Sequence, residues 1–371
     1  MPQLDGIRAI AVIFVVIHHY FPYDSIVRES FRWGWFGVRL FFVLSGFLIT
    51  SILLTQKNNL STHNGISRIF AIKQFYIRRS FRIFPLYYLY VCILLLISPE
   101  MKENFFWFLT YTQNYLIFIK NDIAIVAGAG HLWTLAIEEQ FYLFWPLMII
   151  LFPNRYLVSV ILAFICIGIC SRFFLRVFDD GGFVESMVPT TSNLDSLALG
   201  AMLAYFRMHI GQTRRFERSL AILGCIGFMY LIIQLVTWNF FDIRRGELTT
   251  EKWFFVTSDF FIGLLFIYVL NCAANNSVPG FAGNLLSSNF MTYIGKISYG
   301  IYVYHVLVQT VFSRSFQAMG VESYRKWWAI LPLIVITLLI SSLSFRYFEN
   351  PINQLKNRFP YTRNDFSQAN R

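Results

Sequence analysis

Two ionisable groups near the start of the chain have the types and spacing for chemistry. Arg8 and His19 lie in the run Leu4-Asp5-Gly6-Ile7-Arg8 … His18-His19-Tyr20, eleven residues apart. On a helix, eleven residues make three turns and a small remainder, so both side chains share one face with roughly 16 Å of rise between them. Asp5 stands three residues before Arg8, within reach of an ion pair on that face. His18 points about 80° away from it. An imidazole, with an ordinary pKa of about 6.5, suits removal of a proton from a hydroxyl, and a guanidinium suits an anion. The plainer reading is an arginine reaching for a membrane interface and a histidine satisfied by a neighbouring helix.

Other runs add groups of the same kind. Ser45 and Gly46 sit in Phe41-Phe42-Val43-Leu44-Ser45-Gly46-Phe47-Leu48-Ile49, with Arg39 just before. The pair allows close approach of another backbone or a ligand, and helix packing outweighs a nucleophilic Ser45. Arg39 inside an apolar run needs an anion, a carbonyl or water. Arg79 and Arg82 are three apart, on one helix face; two guanidinium forks there suit a phosphorylated ligand, while loop charge is the ordinary alternative. His131, Thr134, Glu138, Tyr142 and Trp145 follow helical spacing and form one polar and aromatic stripe. Two carboxylates, Glu138 and Glu139, within a membrane helix are hard to explain by packing. Asp195, Lys296 and His305 lie in later apolar runs, and a structural role for His305 competes evenly with a ligand contact. Glu349-Asn350-Pro351 reads as a helix stop.

The elements that position these residues follow from composition. Of 371 residues 56% are hydrophobic and only 14% charged, against about a quarter charged in soluble domains. The fold class is therefore all-α, a polytopic membrane protein. Hydropathy places about ten spans, near 6–22, 34–54, 82–98, 132–152, 156–175, 192–207, 219–238, 253–272, 290–312 and 327–346. Phe105–Ile119 is short and broken by Gln113 and Asn114, as expected of an interfacial or re-entrant piece. The loops at 55–82 and 207–218 and the C-terminal tail are rich in lysine and arginine, which puts both termini in the cytoplasm. The net charge of +11 then reflects topology and anionic lipid rather than nucleic acid. Five cysteines, all in apolar runs, form no metal or disulfide pattern. The first segment lacks a small-residue cleavage site and reads as a retained helix. Residues 1–350 form one membrane domain, and 351–371 a short cytoplasmic polar tail.

In this order the blocks resemble the acyltransferase 3 family of bacterial membrane O-acyltransferases, over nearly the whole chain. The carriers are Leu4-Asp5-Gly6-Ile7-Arg8 with His19, Phe41-Phe42-Val43-Leu44-Ser45-Gly46-Phe47-Leu48-Ile49, Arg79-Ser80-Phe81-Arg82 with Pro85, and Trp133-Thr134-Leu135-Ala136-Ile137-Glu138 with Gln140-Phe141-Tyr142. The family's Arg-x10-His pair falls on Arg8 and His19, its Arg-x-x-Arg on Arg79 and Arg82, and its acidic position on Glu138 rather than Glu139. Ile7, Thr134 and Asn193 depart from the usual leucine, serine and arginine; the last puts a local ion pair around Asp195 in doubt. Many relatives carry a C-terminal SGNH esterase-like domain; from the length of this sequence no second soluble active site is expected.

The resemblance implies transfer of an acyl group, acetyl being the commonest, from cytoplasmic acyl-CoA to a hydroxyl of an extracytoplasmic carbohydrate or glycolipid. No permanently bound cofactor and no metal are expected. His19 would be the general base, with Arg8 and Glu138 beside it. Arg79, Arg82 and Arg8 would hold the phosphates of the donor. Glu138, Tyr142, His131, Asp5, Ser45 and His305 are the candidates for substrate contact, and Glu138 would either orient His19 or hold the sugar. A transporter or flippase for an anionic or lipid-linked solute is the main alternative, weakened by the absence of internal repeats. A silent scaffold is disfavoured because intramembrane charges are costly to keep.

Overall fold

The computed structural model describes residues 1–62, 67–179, 181–240, 249–320 and 326–361. Among the described residues ten long helices carry the fold: α1 (Pro2–Tyr20), α2 (Trp33–Thr62), α3 (Arg68–Ile97), α4 (Trp133–Leu151), α5 (Asn154–Phe173), α6 (Leu194–His209), α7 (Arg214–Phe240), α8 (Thr249–Ala274), α9 (Asn289–Ala318) and α10 (Trp327–Ser344). Each falls on one of the ten apolar runs, and no strand occurs among the described residues. Among the described residues, seven helical stretches are long and apolar enough to cross a membrane. Of the rest, α1 and α9 carry more polar residues and α6 has only 16 residues. The protein is an all-α polytopic membrane protein.

Local sequence sets the helix ends. Pro2 occupies the first turn of α1, where its missing N–H costs nothing. Ser67 caps α3 by accepting from Phe70 N at 3.1 Å, and Ser288 caps α9 by accepting from Met291 N at 3.3 Å. Lys57 Nζ donates to Ile149 O at 2.8 Å, satisfying a carbonyl at the end of α4.

Helix α2 is the centre: 67% of its apolar window is buried, against 22% for α7 and α10, which therefore form the rim. Around α2 pack α1, α4 and α6, and α9 lies along α1. Two glycines fix the closest crossing. A Cβ on Gly46 would collide with Leu197 O of α6, and one on Gly200 with Val43 O of α2. The close approach foreseen at Ser45-Gly46 is thus made by a helix backbone. Likewise a Cβ on Gly295 of α9 would meet Asp5 O of α1, which seats the start of α1 against α9.

Phe105–Ile119 divides into two short helices, Pro99–Leu109 and Gln113–Lys120, separated by Tyr111 at φ +55°. Its polar break is tied down: Gln113 Nε2 donates to Leu132 O at 2.8 Å and Asn114 Nδ2 to Val188 O at 3.2 Å. Pro351 does not stop the last helix. A π-turn at Phe345–Glu349 passes into a short helix at Asn350–Gln354, and Pro351 sits in its first turn, where proline is tolerated. Residues after it fold back on α3, where Arg78 Nη1 donates to Lys356 O at 2.9 Å and Phe359 O at 3.0 Å. The rest of the expected tail, 362–371, lies outside the described residues. All five cysteines are free thiols.

Candidate functional site

Two spaces lie along α1, one near each end. Arg8 on α1, Ser45 on α2, Arg79 and Arg82 on α3, Glu138 and Tyr142 on α4, and Tyr299 and Tyr302 on α9 line a narrow pocket of about 110 Å³. His18 and His19 on α1, Trp35 and Arg39 on α2, His131 before α4, and Gln309 on α9 line a larger cavity of about 910 Å³. Arg28 and Arg32, in the connection from α1 to α2, also face the larger one. Val38 and Tyr302 belong to both linings, so these two side chains form the wall between them.

Three arginines from two helices converge in the smaller pocket. Arg8 pairs with Asp5 one turn earlier. The Arg79 guanidinium lies over the Tyr142 ring at 4.8 Å, and its buried Nε has no hydrogen-bond partner. Arg82 is the most exposed of the three. Opposite them Glu138 Oε1 accepts from Ser45 Oγ at 2.6 Å, while Glu139 Oε1, also buried, has no hydrogen-bond partner. Pooled positive charge with unspent donors suits a phosphorylated group.

The larger cavity gathers imidazoles. His18 and His19 have ring centroids 5.1 Å apart, His19 and His305 4.8 Å, and His305 and His131 5.0 Å. The backbone holds this row. His305 Nδ1 lies 2.6 Å from Tyr302 O, His131 Nε2 3.1 Å from Val303 O, and Gln309 Nε2 donates to His19 O at 2.8 Å. His305 is fully buried between the other two rings, with Nε2 unpaired. Although His18 sits about 80° from Arg8 on the helix, it lines the cavity too, packed against Gly34.

The structure parts residues that the spacing grouped together. Arg8 and His19 share a face of α1 but open into different spaces, as their ~16 Å of rise requires. The stripe on α4 divides in the same way. His131 faces the larger cavity, whereas Thr134, Glu138 and Tyr142 line the smaller pocket. Trp145 faces neither; its Nε1 donates to Thr50 Oγ1 at 2.8 Å in the packing against α2. Glu138 does not meet His19: seven residues beyond His131, it is carried about 10 Å along α4 and points among the arginines. Asp5 and Ser45 also stand on the arginine side, as partners of Arg8 and Glu138. Lys296 is exposed.

Arg39 and Asp195 belong to a buried network that sequence reasoning did not find. Arg172 of α5 grips Asp195 of α6 with both forks, at 2.9 and 2.6 Å, and reaches Asp259 of α8 at 3.3 Å. Asp259 pairs with Arg39 Nε at 2.9 Å, and Arg39 also bonds Asn193 Oδ1. All four charged residues are at most 1% exposed. Asn193, standing where the family usually has arginine, leaves the Asp195 ion pair intact because the cation comes from α5. The available signal was Arg172 and Asp259, single charges within or at the end of apolar runs.

A family model described as an acyltransferase domain matches residues 1–346. The chain is 29% identical to peptidoglycan O-acetyltransferase OatA of Listeria monocytogenes, over 95% of this chain and 56% of that one. It is 27% identical to O-acetyltransferase OatA of Staphylococcus aureus, over 95% of this chain and 57% of that one. The chain thus spans little more than half the length of these relatives. No solved structure matches it. With the paired arginines, the histidine row and the Glu138 block on helices that the family model covers almost from end to end, the chain belongs to the acyltransferase 3 family.

Proposed function

We propose that this chain is a membrane O-acyltransferase that moves an acyl group, acetyl foremost, from acyl-CoA at the cytoplasmic face to a hydroxyl of an extracytoplasmic carbohydrate. The observation that carries the reading is the back-to-back arrangement: an arginine pocket and a histidine cavity sharing only Val38 and Tyr302 as their wall. The basic loops support a cytoplasmic position for the arginine end. The names of the relatives, which describe acetyl transfer to peptidoglycan in one case, support a cell-wall glycan as acceptor.

In this mechanism Arg79, Arg82 and Arg8 bind donor phosphates, and the thioester is delivered toward Val38 and Tyr302. The acceptor enters the histidine cavity. His19 takes the proton of its hydroxyl as the oxygen attacks the thioester carbonyl. The carbon–sulfur bond then breaks, and the CoA thiolate recovers the proton. A positioned base of this kind contributes about 10²–10⁴-fold. His305, edge-to-face with both His19 and His131, holds His19 in place as a positioning residue.

The test uses the protein in nanodiscs with radiolabelled acetyl-CoA and cell-envelope glycans. Label should reach a glycan with the wild type and not with His19→Ala. Failure to bind the donor at all would favour the transporter reading.

A further inference from the structure

The segment after the last helix brings a further cation to the arginine pocket. Arg78 of α3, one residue before Arg79, donates from Nη1 to Lys356 O at 2.9 Å and to Phe359 O at 3.0 Å. The same guanidinium lies 4.7 Å from the Tyr361 ring, and the Phe359 ring lies 5.7 Å from that of Phe81. A turn within the segment, with Phe359 N donating to Lys356 O at 3.0 Å, completes the anchor. The backbone of Lys356 is thereby fixed. Its side chain is half-buried and belongs to none of the ion pairs among the described residues. The charges that act on it are all positive, Arg82 most strongly, then Arg78 and Arg79. Arg79 and Arg82 line the pocket. Like charges held together repel, and a phosphate among them turns that repulsion into shared attraction.

Three carboxylates, Asp5, Glu138 and Glu139, stand in or beside the pocket with its three arginines, so the arginines alone do not balance a polyanionic donor. Coenzyme A carries a diphosphate and, on the same ribose, a monophosphate ester with about −1.5 to −2 of charge at neutral pH. We propose that Lys356 binds this ribose monophosphate while Arg79 and Arg82 hold the diphosphate. Only a ribose separates the two phosphate groups, which matches a cation standing next to Arg82. A lysine suits the task as a compact charge with rotatable donors on a flexible stem. The proposal rests on the acyl-CoA reading of the arginine pocket and extends it to a part of the donor that the pocket itself does not balance.

The test is equilibrium dialysis with the protein in phosphatidylcholine nanodiscs, a bilayer without net charge. The probes are coenzyme A and dephospho-coenzyme A, which lacks only the ribose monophosphate. The wild type should bind coenzyme A about tenfold more tightly, the scale of one charge-assisted hydrogen bond. That preference should shrink as salt rises. Lys356→Gln should lose the preference, with affinity for dephospho-coenzyme A unchanged, and Lys356→Arg should keep it. The unchanged affinity for the shorter probe also shows that the variant is folded. Three results would overturn the proposal while leaving the acyl-CoA reading in place: equal affinities in the wild type, a preference that survives Lys356→Gln, or an equal loss for both probes in that variant. The second of these is what a lysine serving only anionic lipid headgroups would give. Binding of neither probe by the wild type would overturn the acyl-CoA reading and the proposal together.

Discussion

Arg172 and Arg79 are both arginines within the helical bundle, yet their surroundings differ completely. Arg172 donates from Nε to Val256 O at 3.1 Å and closes both forks on Asp195. Its network of two arginines and two aspartates is neutral and ties α2, α5, α6 and α8 together. Arg79 instead rests on a tyrosine ring with its Nε unpaired, beside two further arginines at a pocket. A charge whose bonds are all made inside the protein holds helices together. One left with donors to spare, next to like charges, is kept for something that arrives.

The comparison breaks first under Arg172→Ala. Removing one partner from a buried pair leaves an uncompensated charge and costs about 3–5 kcal/mol. Unfolding in detergent should show a loss of that order, with donor affinity unchanged for the molecules that remain folded. Next comes the wall. Val38→Trp should push the wall into the space where the reacting groups meet and lower transfer at least ~10²-fold, the scale that a 1 Å misplacement of reacting groups can cost. Donor and acceptor binding, measured separately, should persist. Arg79→Ala should weaken donor binding by about ten- to a hundredfold, the value of one charge-assisted hydrogen bond. Its unfolding should stay within about 1 kcal/mol of wild type, in contrast to Arg172→Ala. The smallest effect is expected at the inert end of the α4 stripe. Thr50→Val removes the acceptor of Trp145 and should cost about 1 kcal/mol of stability with transfer kinetics unaltered.

What the sequence made legible is what depends on spacing along one chain segment. The ten helices came from apolar runs, and the Asp5–Arg8 pair from a separation of three. The face shared by Arg8 and His19 is correct helical arithmetic, but arithmetic on one helix says nothing about where a neighbour places a wall. Val38 and Tyr302, apolar and aromatic residues with no motif of their own, decide that Glu138 keeps company with arginines rather than with His19. The Arg172–Asp259 contact joins residues 87 positions apart in sequence, and only the packing of α5 on α8 brings them together. Arg28 and Arg32 carry no motif, and nothing local reveals that their connection lines a cavity. Pro351 was misread because the same residue serves as a stop and as a first turn, and the π-turn before it decides which.

The central claim is that donor and acceptor occupy opposite ends of α1, with Arg8 and its partners serving one and His19 the other. It is tested most directly by measuring acetyl-CoA binding and single-turnover transfer together in His19→Ala. The account predicts donor affinity within about twofold of wild type and transfer reduced by about 10²–10⁴-fold. Transfer at the wild-type rate, or loss of donor binding in parallel with loss of transfer, would contradict it.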